Sequence, residues 1–341
     1  MKIDDIYTSD HWYNMPYIIE QPYPFIVIIG ARGTGKTYGA NKYLLDKGSK
    51  FMYLRRTLTE FEIAVNEKNN PFKVFNESIT ADKIEKGLSG IYTDETKENL
   101  IGYASALSTF HNLRSVDFHD VQIIIYDECI PEEHVKSIKN EYNVVLNMYE
   151  TINRNRELQG KPPVKLVMMT NSNDISHPLI RGLKIADYMF ESLSGIIEIP
   201  ERGLMVLYTM SKGFKQKKAN TALYRLADTK SNFSQMALDN KFNSANKDNI
   251  IKINKKEYKP LYSILIDGTY YYILSHKSGS KYYVSEINLG NGKRTYNTSI
   301  PSDLTALRSD LLPLLKLRLH NLLYFQNMNC KLAFDSLFLK H

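Results

Sequence analysis

The residues that most constrain the fold are 30–37, which read GARGTGKT. They match the pattern G-x-x-x-x-G-K-[ST] at every fixed position. The alternative is a chance match in a glycine-rich turn, and the context argues against it. The apolar run FIVII at 25–29 leads into the loop, and helical sequence follows from Lys36 to about Lys47, before Gly48. The sequence therefore predicts a strand, a phosphate-binding loop and a helix in that order.

This loop, called the phosphate loop below, predicts a nucleotide site. Glycines let the backbone wrap closely, so that successive N–H groups point at phosphate oxygens. Lys36 is predicted to contact the β- and γ-phosphates, and the Thr37 hydroxyl to be a ligand of Mg²⁺. The predicted nucleotide-binding residues are Gly30, Ala31, Arg32, Gly33, Thr34, Gly35, Lys36 and Thr37.

A pair of carboxylates follows about ninety residues later. Residues 123–128 read IIIYDE, a buried strand that ends in two acids. Asp127 is predicted to hold Mg²⁺ and Glu128 to act as the general base on the attacking water, with ATP as substrate. The alternative is a strand followed by a solvated acidic turn, and the phosphate loop makes that alternative weaker.

The remaining elements indicate the fold class. Apolar runs at 51–54, 121–126 and 164–169 alternate with helical sequence, which predicts an α/β fold with a doubly wound, mainly parallel sheet. After about residue 200 the character changes to short strand-like runs, with Asp267-Gly268 as a hairpin signal between two of them. These runs are GLMVLYTM, YSILIDG, TYYYILS and KYYVSEIN. We expect an ATPase domain at 1–200, a linker at 201–225 and a smaller α+β domain at 226–341.

The composition indicates the kind of partner and the cellular compartment to expect. The chain has 341 residues and a formal net charge of +7, so an anionic partner is expected. Its two cysteines cannot form a disulfide framework, which favours a reducing compartment. We expect no signal peptide and no membrane span, and we interpret 303–325 as an amphipathic helix broken near Pro313.

Three further positions are candidates for catalysis. Arg154 and Arg156 follow a predicted helix, and either could reach a neighbouring subunit's γ-phosphate or simply be a surface arginine. Residues 166–172 read LVMMTNS, an apolar strand ending in Thr170 and Asn171, and Asn171 is a candidate sensor of hydrolysis, with ordinary turn chemistry as the alternative. Arg55 and Arg56 close the second strand and are candidates for phosphate or inter-subunit contacts.

Basic residues are concentrated between 211 and 259, where twelve lysines and arginines stand against four acids. Lysine contacts to phosphate are independent of base sequence, which suits the binding of any nucleic acid. A solvated linker is the alternative for any single lysine, and a structural RNA is a second candidate anionic partner. The best DNA-contact candidates are Lys212, Lys215, Lys217 and Lys218.

Taken in order, the motifs FIVIIGARGTGKTYGA, FMYLRRTLTE, IIIYDE, LNMYETINRNRE and LVMMTNS resemble the DNA-packaging ATPases of phi-29-type phages over residues 20–200. The resemblance implies an additional-strand, catalytic-glutamate ATPase in a homomeric ring, expected to be a pentamer, that docks on the portal vertex of the procapsid. It implies that Arg154 is the arginine finger acting in trans. The family lysine after the YxRR strand is absent here, where Leu58 stands.

The resemblance also implies how the second domain and the whole chain work. The second domain would resemble an RNase H-like nuclease without cleavage activity, and Asp267, Glu286, Asp303 and Asp310 form no convincing metal pattern. The predicted function is ATP-driven packaging of double-stranded DNA, in the cytoplasm of the infected host. The alternatives are another P-loop translocase or helicase, and a nucleotide-binding scaffold without motor activity.

Overall fold

The computed structural model of the protein describes residues 2–132, 135, 138–171, 174–192, 194–226, 248–290 and 292–338. Contacts among them define two compact units. The first comprises the described residues within Met1–Glu132, Val144–Asn173 and Ser192–Phe242. The second comprises those within Glu133–Asn143, Asp174–Glu191 and Asn243–His341. Both units are therefore discontinuous in sequence.

The first unit is built on a mainly parallel sheet, with strand order β3-β4-β5-β2-β6-β7-β1-β9-β8. The run from β5 to β9 is parallel, and β3, β4 and β8 pair antiparallel at its two sides. The strands are β1 (Phe25–Ile29), β2 (Phe51–Arg55), β3 (Thr80–Glu85), β4 (Leu88–Tyr92), β5 (Leu100–Ala106), β6 (Ile123–Asp127), β7 (Lys165–Thr170), β8 (Ile196–Ile199) and β9 (Leu204–Leu207).

The central strands are apolar runs because helices cover both faces of a parallel sheet. β6 is buried along its whole length, and β1 is buried from Ile26 to Ile29. Strand β7 lies between β1 and β6, so it separates the strand before the phosphate loop from the strand that ends in Asp127. This is the additional-strand arrangement that the resemblance implied.

The helices form by recognisable local rules. α2 lies between Gly35 and Gly48, which cap its two ends, and both glycines have left-handed backbone conformations. α3 begins at a capping box in which the Thr57 and Glu60 side chains each accept the other's backbone N–H. In chain order the helices are α1 (Met15–Ile19), α2 (Lys36–Lys47), α3 (Leu58–Val65), α4 (Glu141–Asn153), α5 (Pro178–Leu183), α6 (Ala186–Glu191), α7 (Lys212–Ala219), α8 (Ala222–Leu226), α9 (Pro301–Leu319) and α10 (Met328–Ser336).

The second unit contains a smaller mixed sheet with strand order β13-β10-β11-β12-β14. The predicted hairpin at Asp267-Gly268 is confirmed, because it joins the antiparallel strands β10 and β11 with both residues at positive φ. Leu311 and Leu314 of α9 and Phe334 of α10 are buried in the same core as this sheet. The strands are β10 (Tyr258–Ile266), β11 (Thr269–His276), β12 (Tyr282–Ser285), β13 (Arg294–Asn297) and β14 (Leu323–Phe325).

Two sequence predictions were wrong. The run GLMVLYTM was assigned to the β-rich half, yet its strand β9 pairs in parallel with β1 in the first unit. The helix expected to break near Pro313 instead continues through it to Leu319. A proline inside a helix removes one backbone donor, and the buried leucines on either side keep α9 packed.

The domain division at 200 and 225 stays a prediction, as does the nuclease-like character of the second domain. Lys230, Lys241 and Lys247 of the basic stretch lie outside the described residues. Within the part of the chain that the structure describes, no helix has both the length and the apolar character needed to cross a membrane.

Candidate nucleotide site

The conformation of the phosphate loop explains its glycines. Gly33 and Gly35 have φ values of 78° and 82°, a region that side chains rarely adopt. At Gly30 a Cβ atom would lie 2.9 Å from the Tyr13 hydroxyl oxygen. The loop therefore needs glycine at one position for close packing and at two for backbone conformation.

Lys36 begins α2, and its side chain turns back into the loop. Its ammonium donates to the carbonyls of Gly30 and Ala31, both at 2.9 Å, and to Asn171 Oδ1 at 2.8 Å. Burial lowers the pKa of Lys36 to about 7, although the nearby Asp127 carboxylate opposes this shift. Lys36 is thus hydrogen-bonded to oxygen acceptors but shielded from solvent. A bound anion close to its side chain would therefore favour the protonated form.

The contact with Asn171 brings together two residues that are far apart in sequence. Asn171 directly follows β7, the neighbour of β1, and its amide oxygen accepts from Lys36. This places the predicted sensor beside the predicted phosphate-binding lysine. A loop residue, Thr34, completes the inner lining, since its hydroxyl donates to the Ala31 carbonyl at 2.9 Å.

Thr37 and Asp127 meet as a magnesium site requires. The Thr37 hydroxyl lies 3.0 Å from Asp127 Oδ1 and 3.2 Å from Oδ2. The Tyr53 hydroxyl donates to Oδ2 of the same carboxylate at 2.9 Å. Burial raises the pKa of Asp127, and the Arg55 charge opposes this. Hydroxyl and carboxylate oxygens are the ligands that Mg²⁺ prefers, so the two side chains fit that ion.

Arg55 connects both carboxylates. Its guanidinium donates to Asp127 at 3.2 Å and to Glu128 at 2.5 Å. Glu128 has a left-handed backbone with φ 53°, and about half of its side chain is exposed. The turn after β6 therefore points the two acids differently, with Asp127 buried and Glu128 at the surface of the site.

The two candidate finger arginines differ in exposure. Arg154 follows the end of α4, is 42% exposed, and contacts Asp117 and the Val116 carbonyl. Arg156 is buried and donates to the Val121 carbonyl and to Gln122. Arg156 is thus engaged within the fold, whereas Arg154 is displayed to solvent.

The four predicted DNA-contact lysines all lie on α7, called the lysine helix below. Lys212, Lys215 and Lys217 are exposed. Lys218 differs, because it is half-buried and its ammonium donates to the Arg32 carbonyl in the phosphate loop at 2.8 Å. The Arg32 guanidinium itself is exposed and pairs with Glu132.

The sequence pattern of the podovirus DNA encapsidation protein (Gp16) family matches residues 9–339. The chain belongs to this family. The match spans both compact units, and it confirms the resemblance predicted from the motifs.

Individual relatives of this encapsidation protein agree with the family. It is 27% identical over 250 residues to the DNA packaging protein of Bacillus phage phi29, covering 71% of this chain and 68% of that protein. It is 27% identical over 258 residues to the DNA packaging protein of Bacillus phage B103, covering 71% of each.

Solved structures share the fold. The Phi-28 gp11 DNA packaging motor matches with a TM-score of 0.63 at 21% identity, covering 97% of this chain and 99% of that one. The bacteriophage Phi-29 genome packaging motor assembly matches with a TM-score of 0.56 at 18% identity, covering 96% and 98%. These likenesses confirm the predicted fold class, an α/β domain with a mainly parallel sheet and a smaller second unit.

Sequence reasoning missed an aromatic wall beside the phosphate loop of this encapsidation protein. Trp12 packs against Gly35, where a Cβ atom would lie 3.0 Å from the indole ring, and its ring lies 5.5 Å from that of Phe214. Trp12 is the only tryptophan in the chain. Its neighbours come from distant segments, so no local sequence pattern announces the contact.

Two acidic side chains of the second unit form ion pairs within that unit. Asp267 accepts from Arg181 at 2.6 Å, and Glu286 accepts from Lys184 at 2.7 Å. Among the described residues, no three His, Cys, Asp or Glu side chains group closely enough to hold a metal ion.

Proposed function

We propose that this encapsidation protein is an ATP-driven motor that moves double-stranded DNA into a preformed capsid. The observation that carries the proposal is the 3.0 Å contact between Thr37 and Asp127, made beside a complete phosphate loop. A hydroxyl at the start of α2 and a carboxylate at the end of β6 supply the oxygen ligands that Mg²⁺ needs beside a bound nucleotide. The names of the relatives, DNA packaging proteins and a packaging motor, support the DNA substrate.

Magnesium would be held by Thr37 and Asp127, and when bound it would neutralise charge on the β- and γ-phosphates. The chain's own residues do the remaining work. Lys36 and the loop N–H groups bind and orient the phosphate tail. Asn171 accepts a hydrogen bond from Lys36, and this contact would change when hydrolysis removes the γ-phosphate.

Glu128 is the proposed general base. It stands next to Asp127, and its half-exposed carboxylate can reach a water molecule at the edge of the site. In the present arrangement Arg55 binds Glu128 and Asp127 together. Arg55 binds Oε2 of Glu128, which leaves Oε1 as the oxygen that would accept the proton.

Arg154 is the proposed finger, supplied to the site of a neighbouring subunit in a homomeric ring of five. Its exposure supports this choice over Arg156, which is buried and hydrogen-bonded within its own chain. An arginine finger stabilises the charge of the transition state and accelerates hydrolysis by about 10³–10⁵-fold.

DNA would be tracked by the exposed lysines of the lysine helix, Lys212, Lys215 and Lys217, through contacts to its phosphates. The ring would act at the portal vertex of the procapsid in the host cytoplasm, and a structural packaging RNA would be a further anionic partner. The second unit would contribute to nucleic-acid binding without cleaving it.

The test is a subunit-mixing experiment on DNA-stimulated ATP hydrolysis. We expect Glu128→Gln alone to bind MgATP but not hydrolyse it, and Arg154→Ala alone to be inactive. Mixing the two should restore activity, because a site between them contains an intact Glu128 and an intact Arg154. Arg114→Ala, which removes another exposed arginine just before Asp117, is the control and should keep full activity.

Inactive mixtures would refute the finger acting in trans. Normal hydrolysis by Glu128→Gln would remove the assigned base, and hydrolysis unaffected by double-stranded DNA in wild type would refute the motor.

A further inference from the structure

Lys218 does not share the surroundings of the other lysines on its helix. Lys212, Lys215 and Lys217 are exposed, as expected for residues that bind DNA. The Lys218 ammonium instead lies 2.8 Å from the Arg32 carbonyl, inside the phosphate loop. This contact fixes one end of the lysine helix to the nucleotide site.

Aromatic rings hold the Lys218 side chain in this position. Its ammonium lies 5.9 Å from the Phe214 ring centre and 5.2 Å from that of Tyr224. Ring faces attract cations but do not neutralise them. Burial lowers the pKa of Lys218, and the charge of Arg32 lowers it further. The described residues include no carboxylate that forms an ion pair with this ammonium.

The charge of Lys218 also reaches the centre of the site. It acts on Lys36, lowering the pKa of that residue. The two ammonium groups contact adjacent carbonyls of the same loop from different elements, Lys36 at Gly30 and Ala31 and Lys218 at Arg32. Two partly desolvated cations that repel each other at one loop favour the binding of an anion there.

We propose that Lys218 is a second ammonium ligand for the phosphate tail of the nucleotide and is not a DNA-contacting residue. The proposal rests on the assignment of residues 30–37 as the phosphate loop of an ATPase. As a consequence, residues of two elements would bind the nucleotide, the phosphate loop and the lysine helix. The lysine helix also carries the lysines proposed to bind DNA. Occupancy of the site would then be communicated directly to the lysine helix.

The test compares Lys218→Met with Lys217→Met in the full-length protein. Each change removes one positive charge from the same helix and keeps the aliphatic stem, so the packing of position 218 on Phe214 and Tyr224 is preserved. Affinities for MgATP and for AMP are measured by calorimetry, and affinity for double-stranded DNA is measured without nucleotide. Melting temperatures confirm that both variants fold.

We expect Lys218→Met to weaken MgATP binding by about 10- to 100-fold, the range for losing a charge-assisted hydrogen bond. The effect on AMP should be smaller, because AMP lacks the outer phosphates. Lys217→Met should leave MgATP affinity within about twofold and reduce DNA affinity more than Lys218→Met does.

Several results would overturn the inference. One is unchanged MgATP affinity in Lys218→Met, and another is an equal loss for MgATP and AMP, which would indicate general damage to the loop. Equal losses of DNA affinity in both variants with MgATP affinity intact would return Lys218 to the DNA-binding set. Lys36→Met separates this failure from failure of the proposed function, since MgATP binding that survives it would refute the phosphate loop itself.

Discussion

Binding of MgATP should be accompanied by uptake of a proton, because part of the Lys36 side-chain population is the neutral amine before the nucleotide binds. Burial lowers the pKa of Lys36 to about 7 in the protein alone. Bound phosphates favour the charged form and raise that pKa. Because the pKa of Lys36 is higher in the complex, binding draws a proton onto the side chain. The affinity for MgATP must therefore fall as the pH rises above the pKa that Lys36 has in the nucleotide-free protein.

The magnitude follows from that pKa. Lys36 is about half neutral at pH 7 and about nine-tenths neutral at pH 8, whereas a free lysine would be fully charged at both. The dissociation constant for MgATP should therefore increase about tenfold between pH 6 and pH 8. Proton uptake should be about half a proton per nucleotide at pH 7 and about 0.9 at pH 8.

The assay is calorimetry in two buffers that differ in ionisation enthalpy, because the difference in heat reports protons taken up. Lys47→Met, at the exposed end of the same helix, is the matched control and should keep the wild-type pH profile. Lys36→Met should lose both affinity and uptake. Equal heats in both buffers, with constant affinity from pH 6 to pH 8, would refute the reasoning.

Three further outcomes are expected. Burial raises the pKa of Asp127 and the Arg55 charge lowers it, so Arg55→Gln should raise that pKa further; magnesium-dependent nucleotide binding should then be lost at a higher pH on acidification than in wild type, and an unchanged acid dependence would contradict this. Trp12 fluorescence should change when MgATP is titrated, because its ring packs on Gly35, and an unresponsive signal at saturation would place the nucleotide elsewhere. Arg156→Ala should lower the free energy of unfolding by about 2–4 kcal/mol, measured by denaturant titration. The change removes a buried guanidinium and leaves its two acceptors, the Val121 carbonyl and Gln122, without this hydrogen bond. Arg154→Ala should leave stability nearly unchanged, so similar losses in both variants would refute the assignment of Arg156 as structural.

The residues of the candidate nucleotide site could be picked out from the sequence because their signals are local. The phosphate loop needs its glycines and Lys36 at fixed spacing, and the carboxylates need only follow a buried strand. The structure pairs Lys36 with Asn171 and Thr37 with Asp127, while the roles assigned to these four residues stay predictions. That β7 lies between β1 and β6 could not be derived from residues alone and came from family resemblance.

Other features were hidden because they depend on tertiary contacts. The antiparallel strands β3 to β5 were not predicted, and β3 offers little apolar sequence because most of it is exposed or half-buried. Lys218 looks like its neighbours in sequence, and only the approach of the helix to Arg32 distinguishes it. Trp12 is separated from Phe214 by two hundred residues of chain, so their pairing carries no sequence signal.

The position of β9 limits how the lysine helix can move. β9 pairs directly with β1 and ends at Leu207, and only Tyr208 to Ser211 separate it from Lys212. At full extension that connection reaches roughly 18 Å. The lysine helix is therefore joined to β9, the neighbour of β1, by a short connection, and any movement of the helix must be a tilt or rotation within that radius. Lengthening the connection with glycine and serine would leave both ends chemically intact, but movement of the helix would no longer be coupled to β9.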